Sequence, residues 1–345
     1  MKIWAKRLLI FGTALGVFIS WMFLDSMLAE KVRKEASHAF ARSCENCVLE
    51  IESVSIPLFN PGRIVFHKLH FTQGVRGRSD VEGSIPKVVT NLSILSLLRR
   101  EFILKKVLID SPVITYTDGE LPRTPSSVSK KEAPASDSKW LYELNHFALT
   151  NGLFTYRRVL HQKTSELKLH HISLGFKPFG STYGLQKSQI EMSSKFQLEN
   201  SGEIRLNVTA PVKQKEQLKL DMEVWIKNQN LEDLNVFFKQ NDGVVLTGRM
   251  IEGHGKVQVR GVHGLAKVKA EYEDFNAKLI NTAEQGDLEV FFTNLGIALT
   301  THKRNVKQPK REQMGEYEVD RQEGESIVHF MLIALKQAAL EVATN

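Results

Sequence analysis

The chain has 345 residues, 42% of them hydrophobic and 25% charged, with 46 basic against 39 acidic side chains for a formal net charge of +7. Those proportions belong to a folded chain with a core of its own and exclude wholesale disorder and a polytopic membrane protein. Two cysteines exclude a disulfide-stapled miniprotein and a multi-zinc protein, and 10 prolines with 22 glycines exclude a collagen-like chain.

In chain order, Lys2, Lys6 and Arg7 precede a run from Leu8 to Leu24 that is 17 residues without a charge. That is the lower limit for a membrane-spanning helix, about 17 residues, and it exceeds the 7 to 15 residues of a signal-peptide core. Ser26-Met27-Leu28-Ala29 makes a poor cleavage site, so the reading is a retained anchor over 8–28. The three cations before it place residues 1–7 in the cytoplasm and the body beyond the membrane, and removing them (+7 minus 3) leaves the body at +4. The span 29–42 reads as a juxtamembrane helix, with Ala29, Val32, Ala36 and Phe40 recurring among charges.

Cys44-Glu45-Asn46-Cys47 follows. Zinc needs a second ligand pair, haem attachment needs a histidine where Val48 stands, and a redox site needs a helix start. Outside the cytoplasm a small structural disulfide between Cys44 and Cys47 is expected.

From about residue 48 the pattern has period two. The clearest case puts Leu218, Leu220, Met222, Val224 and Ile226 on one face and Lys219, Asp221 and Glu223 on the other. Asn200-Ser201-Gly202 and Gly261-Val262-His263-Gly264 read as hairpin turns, and Leu288, Val290 and Phe292 as a further strand. Strands recurring every ten residues or so, without long helices between them, predict antiparallel meanders. Leu92, Leu95 and Leu98 predict one short helix, and Leu231, Leu234, Phe237 and Phe238 another, with Asn230 as N-cap. The modules expected are β segments at 43–120 and 140–300, a Pro/Ser-rich linker at 121–139, a charged loop at 301–324 and a C-terminal amphipathic helix at 325–345. The basic group Lys303, Arg304, Lys307, Lys310 and Arg311 reads as a solvated loop, and no nucleic-acid partner is expected.

No nucleophile elbow, zinc-helix motif or phosphate loop is present, so no enzyme, cofactor or metal is expected. His161, His170 and His171 lie in a strand-like stretch, where adjacent residues point to opposite faces; His254 and His263 read as turn histidines.

The order of an N-terminal anchor, the strand Ile64 to Phe71, the leucine-rich turn with Arg99-Arg100, and Phe102 to Ile109 ending in Asp110-Ser111-Pro112 resembles the AsmA-like envelope proteins of Gram-negative bacteria. Phe147 to Tyr156, with its Asn151-Gly152 turn, and the glycine-marked strands Leu246-Thr247-Gly248 and Gly253 to Val257 are similar as well. The resemblance implies a mainly β fold: a transmembrane helix followed by a long curved antiparallel sheet, groove-like, with an apolar concave face. It implies an inner-membrane-anchored periplasmic protein that handles phospholipids or supports outer-membrane biogenesis. The alternative is a non-lipid periplasmic scaffold that binds envelope proteins. On the lipid reading, Leu218, Leu220, Met222, Val224 and Ile226 face acyl chains; on the other, a second sheet or a helix covers them.

Overall fold

The computed structural model describes residues 27–38, 40–41, 47–57, 60, 62–75, 79–93, 96, 101–119, 141–160, 163–180, 189–211, 218–241, 243–279, 314–321 and 327–344. The alternation of Leu220, Met222 and Val224 with Lys219, Asp221 and Glu223 lets a strand bury one side and solvate the other, and strands of this kind dominate the molecule. Among the described residues, fifteen strands form one sheet. They are β1 (Cys47–Ser55), β2 (Arg63–Val75), β3 (Ser79–Leu92), β4 (Glu101–Asp110), β5 (Val113–Gly119), β6 (Leu141–Leu144), β7 (Phe147–Leu160) and β8 (Lys163–Phe176). Then follow β9 (Phe179–Gly180), β10 (Gln189–Leu198), β11 (Gly202–Pro211), β12 (Lys219–Asn230), β13 (Val244–Arg260), β14 (His263–Leu279) and β15 (Met314–Asp320). Helix α1 covers 27–38 and 40–41; the 3-10 turn Leu231–Leu234 leads into α2 (Asn235–Asn241); α3 is Ile327–Thr344.

The mainly β expectation holds, with one correction: the sheet is mixed, not antiparallel throughout. β4 and β5 run end to end, and so do β6 and β7, and the two composite strands pair in parallel with a constant offset of 40 positions, from Glu101↔Leu141 through Val107↔Phe147 to Gly119↔Val159. Parallel neighbours need a connection of at least about a dozen residues. The span 120–140, which includes the linker predicted at 121–139, lies outside the described residues, and strands on both sides of it belong to the same sheet.

Several local expectations change. Leu92 ends β3 opposite Leu104 instead of opening a helix, though Ser96 is helical. Part of the loop expected at 301–324 is the edge strand β15, paired with β14 from Met314↔Lys269 to Asp320↔His263. Its signal was weak because Tyr317 and Val319 alternate with Glu316, Glu318 and Asp320. Asn230 sits at the N-cap position, but its side chain makes no cap bond; its backbone N–H donates instead to Ser201 Oγ at 2.9 Å. The hairpin turns at Asn200-Ser201 and at Gly261-Val262 form where turn chemistry places them.

Lys68, Asn151, His171, Asn228 and Asp274 lie at positive φ inside strands, and Ser111 does so between β4 and β5. Such residues interrupt strict side-chain alternation. Gly152 shows the effect, since a Cβ there would meet Leu149, Ile172 and Pro112; Leu149 and Gly152 therefore share a face although three positions apart. The side chains of three of these residues touch across the strands. Asn151 Nδ2 donates to Ser111 Oγ at 3.3 Å, and His171 Nδ1 lies 3.3 Å from Asn151 Oδ1.

The anchor expected at 8–28 lies outside the described residues except for Met27 and Leu28, which are exposed in α1. Among the described residues no helix is long and apolar enough to cross a membrane. A helix, α1, stands where the juxtamembrane helix is expected at 29–42, and its Phe40 meets Phe71 of β2 edge to face, with ring centroids 6.1 Å apart. The strand expected at Leu288 to Phe292 lies outside the described residues.

Candidate functional site

Residues directly opposite each other on neighbouring strands share a face, so pairing partners trace rows across the sheet. One row runs Val54, Phe66, Val88, Ile109, Leu149, Leu174, Ser194, Leu206, Val224, Gly255, Val268, Gly315. The adjacent row on the same face runs Ile64, Thr90, Val107, Phe147, Phe176, Met192, Val208, Met222, Val257, Ala266, Tyr317. Twelve strand positions thus present one almost wholly apolar face.

Helix α3 covers one end of that face. Phe330, Met331, Ala334 and Ala338 pack with Met222, Val257, Val259 and Ala266, all buried, and Leu218 and Leu220 pack at the margin. Two glycines let the helix in: a Cβ on Gly264 would overlap the Phe330 ring, and one on Gly315 would overlap the Ala338 carbonyl. Of the apolar set expected on β12, Leu218, Leu220 and Met222 therefore sit against a helix of the same chain, and Val224 and Ile226 are half-buried beyond it. Among the described residues, the cover given by α3 does not extend to β2. Phe66, Val88, Ile109, Phe147, Phe176 and Met192 are half-buried, and none reaches the burial of the α3 cluster.

The opposite face is apolar from Val65 through Val89 and Leu108 to Ala148, then turns polar through Gly175, Ser193, Asn207, Glu223 and Lys256. Across β7 to β13 it holds an open trough of about 730 Å³. Ser173, Lys195, Arg205, Trp225 and His254 succeed one another as cross-strand partners there. Trp225 and His254 stack at 5.1 Å with 12° between ring planes. Other cations on this face have carboxylates: Arg260 with Asp221 at 2.8 Å, Lys256 with Glu223 at 3.1 Å and Lys267 with Glu316 at 3.0 Å outside the trough, and Lys227 with Glu252 at 3.2 Å in its lining.

Cys47 begins β1, is buried and is held in a disulfide; Cys44, the other cysteine of the chain, lies outside the described residues. His254 is corrected from a turn to the middle of β13, because Gly253 and Gly255 serve helix and strand packing instead of a turn; Gly255 faces Leu335 and Val224. His263 opens β14 and meets Asp320 at 2.6 Å. His170 and His171 have ring centroids 6.4 Å apart, closer than strict alternation implies, because His171 is at positive φ. His161 lies outside the described residues, and among those described no cluster of side chains is arranged to hold a metal ion.

Near α2, Tyr156 donates to Asp118 Oδ2 at 2.9 Å and its ring touches Tyr116 and Phe237. Burial, and then the hydrogen bond to Asp118, push its phenol well above the usual tyrosine range. A raised pKa means that the stability tied to this proton is complete below the unfolded value of about 10 and is lost as pH rises through the folded one. Spectrophotometric titration at pH about 11 is expected to give the same tyrosinate signal for wild type and Tyr156→Phe while both stay folded. A lower signal in the variant would show that Tyr156 ionises like an exposed tyrosine.

Neither the models of known families nor the curated proteins contain a match to this chain.

Proposed function

We propose that the chain is an AsmA-like envelope protein that takes the acyl chains of phospholipids against the uncovered part of its apolar sheet face. The observation that carries this reading is the stretch Phe66, Val88, Ile109, Phe147, Phe176 and Met192, half-buried on the same sheet face that continues across the strands to Met222, Val257 and Ala266, fully buried under α3. Water on such a face costs roughly 25 cal/mol per Å² of apolar surface left exposed. Acyl chains relieve that cost without demanding a specific side-chain pattern, in keeping with a row of Val, Ile and Phe and few hydrogen-bonding groups. Continuity of the chain supports a membrane source for them. The charge-free run Leu8 to Leu24 leads through α1 to the uncovered end, where Phe40 meets Phe71.

Twelve strand positions at about 4.8 Å give a sheet roughly 50 Å wide. That width is short for a cell envelope, so the protein acts close to the inner membrane and hands lipid on with partners. In this reading the main body is periplasmic and the N-terminus cytoplasmic.

The test is lipid extraction from full-length protein purified in mild detergent, followed by mass spectrometry. Phospholipid is expected at near-stoichiometric amounts. Ile109→Asp combined with Phe176→Asp is expected to remove it while leaving circular dichroism and cooperative melting intact, since both side chains are only half-buried. Leu220 is unsuited to this purpose, because it packs on the α3 cluster and an Asp there disturbs the core itself. Native protein free of phospholipid, or a folded double variant that keeps it, overturns the reading.

A further inference from the structure

We propose that the polar trough on the other face is an anion site that binds a phosphate ester through Lys195 and Arg205. These two side chains sit directly opposite each other on β10 and β11. Like charges in that position repel, and paired strands normally avoid them or insert a carboxylate between them. Here, among the described residues, neither side chain makes an ion pair or a side-chain hydrogen bond, whereas their neighbour Lys227 is matched by Glu252. The unbalanced pair lies inside the trough of about 730 Å³, not on a convex surface.

Several other lining residues fit the same ligand class, and the carboxylate in the lining, Glu252, is held by Lys227. Ser173, Ser193 and Asn207 put small hydrogen-bonding groups beside the two cations, and Trp225 adds a flat apolar wall. A guanidinium offers a planar fork for two phosphate oxygens, an ammonium a mobile point charge, and hydroxyls complete the shell. The wall next to them suits the organic part of an ester. A carboxylate offers two oxygens in one plane; a tetrahedral phosphate ester, doubly charged as a monoester and singly charged as a diester, presents non-bridging oxygens that reach both cations. The site is independent of acyl-chain binding, because it lies on the opposite face.

The experiment titrates full-length protein in mild detergent with inorganic phosphate, with glycerophosphate and with dihexanoyl phosphatidylglycerol below its micelle concentration, by calorimetry in low-salt buffer. Lys195→Gln and Arg205→Gln are compared with Lys219→Gln, an exposed cation outside the trough. Saturable binding of glycerophosphate or of the short-chain lipid is expected, about ten- to hundredfold weaker in each trough variant and unchanged in Lys219→Gln. Without ligand, Lys195→Gln is expected to melt slightly higher than wild type, since repulsion is removed, and to lose the phosphate-dependent rise in melting temperature. Preference for glycerophosphate assigns a soluble phosphate ester, and preference for the short-chain lipid assigns a headgroup; both support the site. No saturable binding, or equal binding by all variants, overturns it. The Ile109→Asp and Phe176→Asp protein is expected to retain phosphate binding, which separates failure of this site from failure of the lipid reading.

Discussion

Phe330→Ala is expected to lower stability by about 3–5 kcal/mol, the cost of removing a fully buried aromatic ring whose surroundings cannot collapse. Phe330 is 1% exposed and holds α3 against β13 and β14, with Val257, Val259, Ala266 and Ala334 buried around it. Strand backbone lies beneath the ring at Gly264, so relaxation into the space is small. Equilibrium denaturation measures this as a shifted midpoint at constant slope. Gly264→Ala alone is also expected to destabilise, because its new methyl overlaps the ring. The two changes together should cost less than their sum, since the alanine methyl enters the space the ring vacates. A loss under about 1 kcal/mol in Phe330→Ala would mean that α3 does not cover this end of the sheet.

Asn235→Ala is expected to cost about 2–5 kcal/mol, because it orphans two backbone groups at once. The Asn235 side chain accepts from the Leu246 N–H at 2.7 Å and donates to the Leu246 carbonyl at 2.8 Å. Those groups point away from β14, and β12 has already ended its pairing at Asn230↔Arg249. The amide of one side chain therefore does the work of a neighbouring strand at a residue that is 3% exposed. Amide hydrogen exchange at Leu246 is the direct readout, and protection there should fall by more than the global stability change. Asn235→Asp keeps the acceptor and loses the donor, so it should restore protection of the N–H but not the full stability. Unaltered protection in Asn235→Ala would refute the assignment.

Periodicity made the strands legible because one-sided burial writes itself into a sequence as alternation, and the β10–β11 hairpin, paired in unbroken register, followed it closely. The pairing of Lys195 with Arg205 was also within reach, since the turn at Asn200-Ser201 sets the register of the hairpin. Alternation does not record whether a nearby carboxylate neutralises such a pair, and so the trough was missed. Acidic residues hid β15, and the positive-φ residues Ser111, Asn151 and His171 hid a change of face, because no local signal distinguishes such a residue from a turn.

The chain by itself determined a β-rich fold, its main hairpin turns, its terminal helix and an apolar run set off by basic residues. These are consequences of local sterics and of which side chains tolerate water. Only the tertiary structure decided which neighbour each strand takes across 120–140, that α3 packs on Leu218 to Met222, and that Phe66 to Met192 are only half-buried. Those outcomes depend on contacts between segments distant in sequence, where β13, β14 and β15 meet the C-terminal helix at Gly255, Gly264 and Gly315, whose role is visible only once the helix is in place.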